Sequence, residues 1–220
     1  KQDLVSFTAE YRMPDILAAI GLVQLKHSYD LNEMYGDNYG YRSGLNRSMV
    51  IHLQERVKKI LNMISFNPGD LIIDIGSNDS TLLQAYPKGD IVLAGIDPTG
   101  KKFREYYPAH INLIADFFSA KKIKEQFGPK KAKVITSIAM FYDLESPLDF
   151  VRQIHEVLAD DGVWLFEQSY LPTMLEMTAY DTICHEHLEY YCLRQIDWMV
   201  KKVGLKVIDV EFNNVNGGSF

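Results

Sequence analysis

The chain has 220 residues, 29 of them acidic and 23 basic, for a formal charge of −6. That length supports one sizeable core with a small appendage, the acidic balance argues against a nucleic-acid surface, and no apolar run reaches the roughly 20 residues a membrane helix needs. Two cysteines allow at most one disulfide and no secretory signal opens the chain, which points to a reducing cytoplasm.

Residues 1–42 read as an irregular N-terminal segment, with "MYGDNYGYRS" (34–43) a loop rich in Gly, Asn and Tyr. From Ser43 the pattern turns helical, with Leu45, Met49, Leu53, Val57, Ile60 and Ile64 on one face. After the turn "NPGD" (67–70), apolar strands alternate with helical patterns. Strands are expected over 71–76, 91–97, 111–114, 132–140 and 163–169. Helices are expected from about Ser80, and over 99–107, 119–128, 147–162 and 193–203. "GLKVIDVEF" (204–212) reads as one more strand, and "NGGSF" (216–220) as a turn entering another. Strands that are apolar throughout and separated by helices predict an α/β fold over 43–220: a doubly wound, mostly parallel, Rossmann-like sheet with helices on both faces.

In such a sheet a ligand sits beyond the carboxyl ends of the strands, near the point where strand order reverses. That places "DIGSNDS" (74–80), "DPT" (97–99), "ADFF" (115–118) and "SIAMFYD" (137–143) on one rim. Gly76 allows close approach to the backbone. A dinucleotide turn needs further glycines for its pyrophosphate, and here Asn78 and Asp79 stand in their place. An added carboxylate repels pyrophosphate and suits a cation. S-adenosylmethionine carries an amine, a sulfonium and a ribose but no phosphate. On that reading Asp74 and Asp79 neighbour the amine, Asp97 beside Pro98 holds the ribose, Asp116 and Phe117 frame the adenine, and Ser77, Asn78 and Ser137 complete the cofactor rim. The plainer alternative is that these acids only form turns and cap helices.

The segments "GLVQL", "YDLNEMYGDNYGYRSGLN", "DIGSNDSTLL", "GIDPT", "DTICHEHLEYY" and "NGGSF" resemble the S-adenosylmethionine-dependent sugar C-methyltransferases, which act on nucleotide-linked 4-keto-deoxysugars. The resemblance runs from about Gly21 to the end and implies a class I methyltransferase fold. Members have a small N-terminal zinc domain, a central cofactor domain and a C-terminal sugar-binding domain. The family's C-x-x-C-G-L-V-Q-L reads here with Leu17 and Ile20 at the cysteine positions, so residues 1–42 are expected to be a remnant of the accessory domain without zinc. The chain is expected to stop short of the sugar-binding domain.

Methylation of a carbon beside a ketone requires removal of its proton, which falls in histidine's range near pH 7. The resemblance places that role on "CHEHLEYYC" (184–192): His187 as base, Glu186 as its partner, and His185 on the sugar or the enolate oxygen. Tyr180, Tyr190 and Tyr191 are expected to donate to the keto oxygen or line the pocket. Tyr39 and Arg42 in the Gly-rich loop, and Gln168 after the fifth strand, are substrate-binding candidates, with ordinary packing the alternative. Cys184, His185, Glu186 and His187 are metal-ligand types, but adjacent ligands seldom close a tetrahedral site, and no metal is expected. Two other readings stay open: an O- or N-methyltransferase on a small metabolite, and a non-catalytic nucleoside or sugar-nucleotide binding module.

Overall fold

The computed structural model describes residues 31–35, 39–179, 182–184, 186–215 and 218–220. Residues 1–30, with Leu17 and Ile20, lie outside the described residues, as do the candidates Tyr180 and His185. Two compact units are present: Asp30–Ile138 with Leu148–Phe166, and Ala139–Pro147 with Glu167–Phe220.

The first unit is built from helices α1 (Leu31–Met34) and α2 (Arg47–Met63), strands β1 (Leu71–Ile75), β2 (Val92–Ile96) and β3 (Ile111–Ile114), helix α3 (Ala120–Phe127), strand β4 (Ala132–Ile138), helix α4 (Pro147–Val157) and strand β5 (Leu158–Glu167). The sheet order is β3-β2-β1-β4-β5. β1 pairs in parallel with both β2 and β4, and β2 with β3. The chain therefore winds outward from β1 and then returns to its other side, which sets the switch point between β1 and β4.

All five residues of β1 are buried, as a strand covered on both faces must be. Ile72 packs in one cluster with Leu53, Val57 and Ile60 of α2 and with Leu83, Leu93, Ile111 and Val134. Strand alternation turns Ile73 and Ile75 to the opposite face. Asn46 caps α2 by accepting from the Ser48 N–H at 3.0 Å, and Ser119 caps α3 by accepting from the Lys122 N–H at 3.3 Å. Ile123 of α3 and Val151 and Ile154 of α4 are fully buried, and each such side chain contributes about 1.5–3 kcal/mol.

Three expectations for this unit are corrected. The helix from Ser80 reduces to a 3-10 turn, Leu83–Ala85. Asn78 and Ser80 hold left-handed φ angles of 49° and 63°, and Pro87 disfavours helical backbone at Tyr86, so too few residues remain for several turns. The helix over 99–107 is two 3-10 turns, Pro98–Lys101 and Arg104–Tyr106. The helix over 147–162 ends at Val157, and "LADDG" belongs to β5. A Cβ on Gly162 would lie 2.9 Å from the Ala132 carbonyl, so strand pairing overrides the helical pattern there.

The second unit carries α5 (Leu171–Met177), which the sequence pattern did not signal, and α6 (Leu193–Lys202). Gly218 to Phe220 lie antiparallel to residues 168–170: Gln168 and Phe220 exchange hydrogen bonds at 3.1 and 3.0 Å, and Ser169 bridges Ser219. The expected strand over 204–212 is not formed, since these residues join no ladder. A strand needs an edge to pair with, and alternation alone supplies none.

Candidate functional site

The first unit brings most of the expected cofactor residues to the carboxyl ends of its strands. Asp74, in β1, is buried and accepts from Thr136 Oγ1 at 2.6 Å. Burial pushes its carboxyl up to about 7, against the Thr136 hydrogen bond and with the charge of Asp97. Gly76 follows with φ of 73°, a conformation glycine adopts without strain. Alternating left-handed residues at 76, 78 and 80 fold the segment into a tight cradle. The Asn78 N–H donates to Asp97 Oδ2 at 2.8 Å. Asp97 Oδ1 accepts from both the N–H and the hydroxyl of Thr99, at 2.7 and 2.5 Å. A carboxylate accepts about four hydrogen bonds, so Oδ2 retains capacity for one more.

Tyr107 fixes the cradle from below the loop. Its hydroxyl donates to the Asn78 carbonyl at 2.8 Å and lies 2.8 Å from Ser77 Oγ. Burial holds the phenol well above its usual range, so it keeps its proton and Ser77 donates to it. Gly95 lies under this contact, where an added Cβ would stand 2.5 Å from Ser77 Oγ. Pro98 opens the turn that Asp97 caps. Ser137, at the end of β4, is buried and accepts from the Trp164 indole at 2.9 Å. Asp116 is exposed beyond β3, bonded to Lys122 at 2.6 Å, which holds its carboxyl below the usual range. Phe117 follows it, half-buried.

The Asn78 and Asp79 side chains hold residues 41–44. The Asn78 side chain accepts from the Ser43 N–H at 3.0 Å and donates to the Tyr41 carbonyl at 3.1 Å. Asp79 accepts from the Gly44 N–H at 2.9 Å, pairs with Arg42 at 3.3 Å, and accepts from the Thr81 hydroxyl. Arg42 also stacks on Tyr106, 4.0 Å from the ring centroid. The Tyr39 carbonyl accepts from Lys102 at 2.7 Å. Residues 39–44 are thus a strap fastened to the cradle, and in this structure Arg42 serves the strap. Thr136 and Tyr107 went unread in the sequence, and Thr99 was placed on the rim without a role; the polar pair Thr136–Ser137 inside an apolar strand was the visible signal.

In the second unit residues 187–191 are held by backbone bonds. The Leu188 and Glu189 N–H groups both donate to the Tyr142 carbonyl, at 2.9 and 3.1 Å. The His187 ring packs on the Tyr142 ring at 4.1 Å between centroids. His187 Nδ1 lies 2.6 Å from the Thr182 carbonyl. A carbonyl only accepts, so Nδ1 carries the proton and the neutral ring presents a bare Nε2. Burial lowers the His187 pKa, with the Thr182 bond and the Glu186 charge opposing. The orienting acceptor on Nδ1 is therefore a backbone carbonyl, while Glu186 is exposed and acts on the ring by charge alone. Tyr190 donates to the same Thr182 carbonyl at 3.2 Å. Cys184 and Cys192 are free thiols. Gln168 and Tyr191 are buried.

A doubly wound sheet whose rim carries a glycine cradle and three buried carboxylates, Asp74, Asp79 and Asp97, is the arrangement of a ligand-binding α/β domain. Residues 49–210 match the family described as "Methyltransferase domain", and the chain belongs to that family. It is 26% identical over 200 residues to the C-methyltransferase NovU of Streptomyces niveus, covering 90% of this chain. The chain spans 47% of that relative's length. Among solved structures it is similar in fold to the YcgJ protein of Bacillus subtilis, with a TM-score of 0.59 and 16% identity over 75% of this chain and 73% of that one. The plantazolicin methyltransferase BpumL, solved in complex with SAH, gives a TM-score of 0.54 at 15% identity over 70% of this chain and 63% of that one.

Proposed function

We propose that the chain is the catalytic part of an S-adenosylmethionine-dependent C-methyltransferase acting on a nucleotide-linked keto-deoxysugar. The family match, the C-methyltransferase relative and the motifs around residues 74–80 and 184–192 support this reading. The donor set fits the cofactor: Asp74 is a buried carboxyl whose charged form needs a cation, and Asp97 retains an acceptor position suited to a ribose hydroxyl. When bound, S-adenosylmethionine supplies an electrophilic methyl group.

His187 carries the mechanism. Its Nδ1–H is held by the Thr182 carbonyl, and burial keeps the ring neutral near pH 7, so Nε2 is ready to accept a proton. His187 would take the proton from the carbon next to the ketone, the C–H electrons passing into an enolate whose charge rests on the keto oxygen, and the methyl group S-adenosylmethionine would supply to that carbon would part from its sulfur, which leaves as a neutral thioether. Tyr142 holds the imidazole plane, and Thr182 offsets the charge that develops on the ring.

The test is solvent exchange. With thymidine diphosphate-linked 4-keto-6-deoxyglucose in deuterated buffer, the wild type should exchange the proton beside the ketone, and His187→Gln should lose exchange and methyl transfer while binding S-adenosylmethionine normally. Methyl transfer without any proton removal from carbon would instead indicate O- or N-methylation.

A further inference from the structure

Gln168 is 1% exposed, and neither atom of its side-chain amide has a hydrogen-bond partner among the described residues. Tyr191 is 5% exposed, and its hydroxyl is likewise without one. A buried donor or acceptor left unmade is destabilising, so these atoms call for a hydrogen-bonding partner.

The backbone sets where they face. The Gln168 N–H donates to the Phe220 carbonyl, and the Tyr170 N–H to the Gly218 carbonyl at 2.9 Å, so residues 168–170 are extended. Period-two alternation puts Gln168 and Tyr170 on one face and Ser169 on the other. Tyr170 forms a parallel bridge with Tyr191, and its rings with Phe220 meet at 4.8 Å. Bridged residues share a face, so the Gln168 amide and the Tyr191 hydroxyl stand on the same side. Phe141 packs on the Tyr191 ring at 5.4 Å and fixes its plane.

We propose that Gln168 and Tyr191 form a recognition site for a hydroxyl of the acceptor's sugar ring, with Gln168 setting specificity. The proposal rests on the reading above that the acceptor is a keto sugar. Both groups are neutral, which suits an uncharged partner, and a hydroxyl both donates and accepts, so one such group can satisfy the amide N–H, the amide carbonyl or the phenol. A site that hydrogen-bonds a substrate hydroxyl discriminates strongly, because its polar atoms go unpaired with the wrong ligand.

The experiment compares wild type, Gln168→Met and Tyr191→Phe by thermal unfolding without ligand and by calorimetric titration with S-adenosylmethionine, thymidine diphosphate and thymidine diphosphate-linked 4-keto-6-deoxyglucose. Gln168→Met should keep or raise the melting temperature, leave S-adenosylmethionine and thymidine diphosphate binding unchanged, and weaken the keto sugar nucleotide about tenfold or more. Tyr191→Phe should do the same to a smaller degree. A lowered melting temperature with unchanged sugar-nucleotide binding makes Gln168 structural and overturns the proposal. So does equal weakening of thymidine diphosphate, which would put the site on the nucleotide rather than the sugar, or failure of the wild type to bind the sugar nucleotide. Selective weakening in a protein that neither exchanges nor methylates that compound would sustain the recognition site while removing the C-methyltransferase reading.

Discussion

Thr136 Oγ1 donates to Asp74 Oδ1 at 2.6 Å between adjacent strands, with both residues buried at the switch point of the sheet. The native Asp74 carboxyl keeps its proton up to about pH 7, whereas an unfolded one releases it near 3.8. Between these values the native state binds more protons than the unfolded state, so stability falls as pH rises through that window and levels above it. The slope is at most about 1.4 kcal/mol per pH unit. Asp74→Asn removes it. In urea unfolding, the stability gained by the variant over wild type should grow from about pH 5 to about pH 7 and then level. A difference that stays flat over that range contradicts a desolvated carboxyl.

The strap makes a second prediction. A Cβ on Gly44 would lie 2.6 Å from Asp79 Oδ2, the atom that accepts the Gly44 N–H. Gly44→Ala should lose that bond and lower stability by about 1–2 kcal/mol. Hydrogen exchange at residues 43 and 44 should speed up, and S-adenosylmethionine binding should weaken as the cradle loosens. Unchanged exchange at those amides would show that the strap is not held through Asp79.

Glu186 and His187 separate by pH. The His187 pKa lies below 6.5, so the acid limb of kcat/KM should fall below that pH, where the base becomes protonated. Glu186 raises the ring's pKa, so Glu186→Gln should move the limb to lower pH. Glu186 is exposed, which screens its effect, and turnover at neutral pH should stay within about threefold of wild type. A loss comparable to that of His187→Gln would restore Glu186 as the orienting partner.

Stability of the first unit rests on the α2 face. Ile72 is fully buried against Leu53, Val57 and Ile60. Ile72→Ala should destabilise by about 2–5 kcal/mol in chemical unfolding. A loss below about 1 kcal/mol would mean that the cluster is not close-packed.

The sequence made the sheet legible because its signals were local. "INLI" matches β3 to the residue, and Ser119 before an amphipathic run marks the start of α3. Where tertiary contacts decide, the pattern misleads: "LADDG" continues a helical period yet pairs as strand beside Ala132, and 204–212 alternates as a strand yet joins no ladder. The rim acids were readable as a group from their places at strand ends. Their division was not, because it depends on which backbone amides fold back onto them: Asp97 receives Asn78, and Asp79 receives Gly44. The partner of His187 was equally hidden, since the Thr182 carbonyl belongs to the backbone and carries no side-chain signature.

The most direct measurement is calorimetric titration of S-adenosylmethionine and of NADH into the wild type and Asp97→Asn. Micromolar binding of S-adenosylmethionine, weakened about tenfold by the substitution, with no binding of NADH, is the predicted result. A folded wild type that does not bind S-adenosylmethionine, or that binds it equally well with Asp97→Asn, would contradict the assignment of this sheet rim as the methyl-donor site.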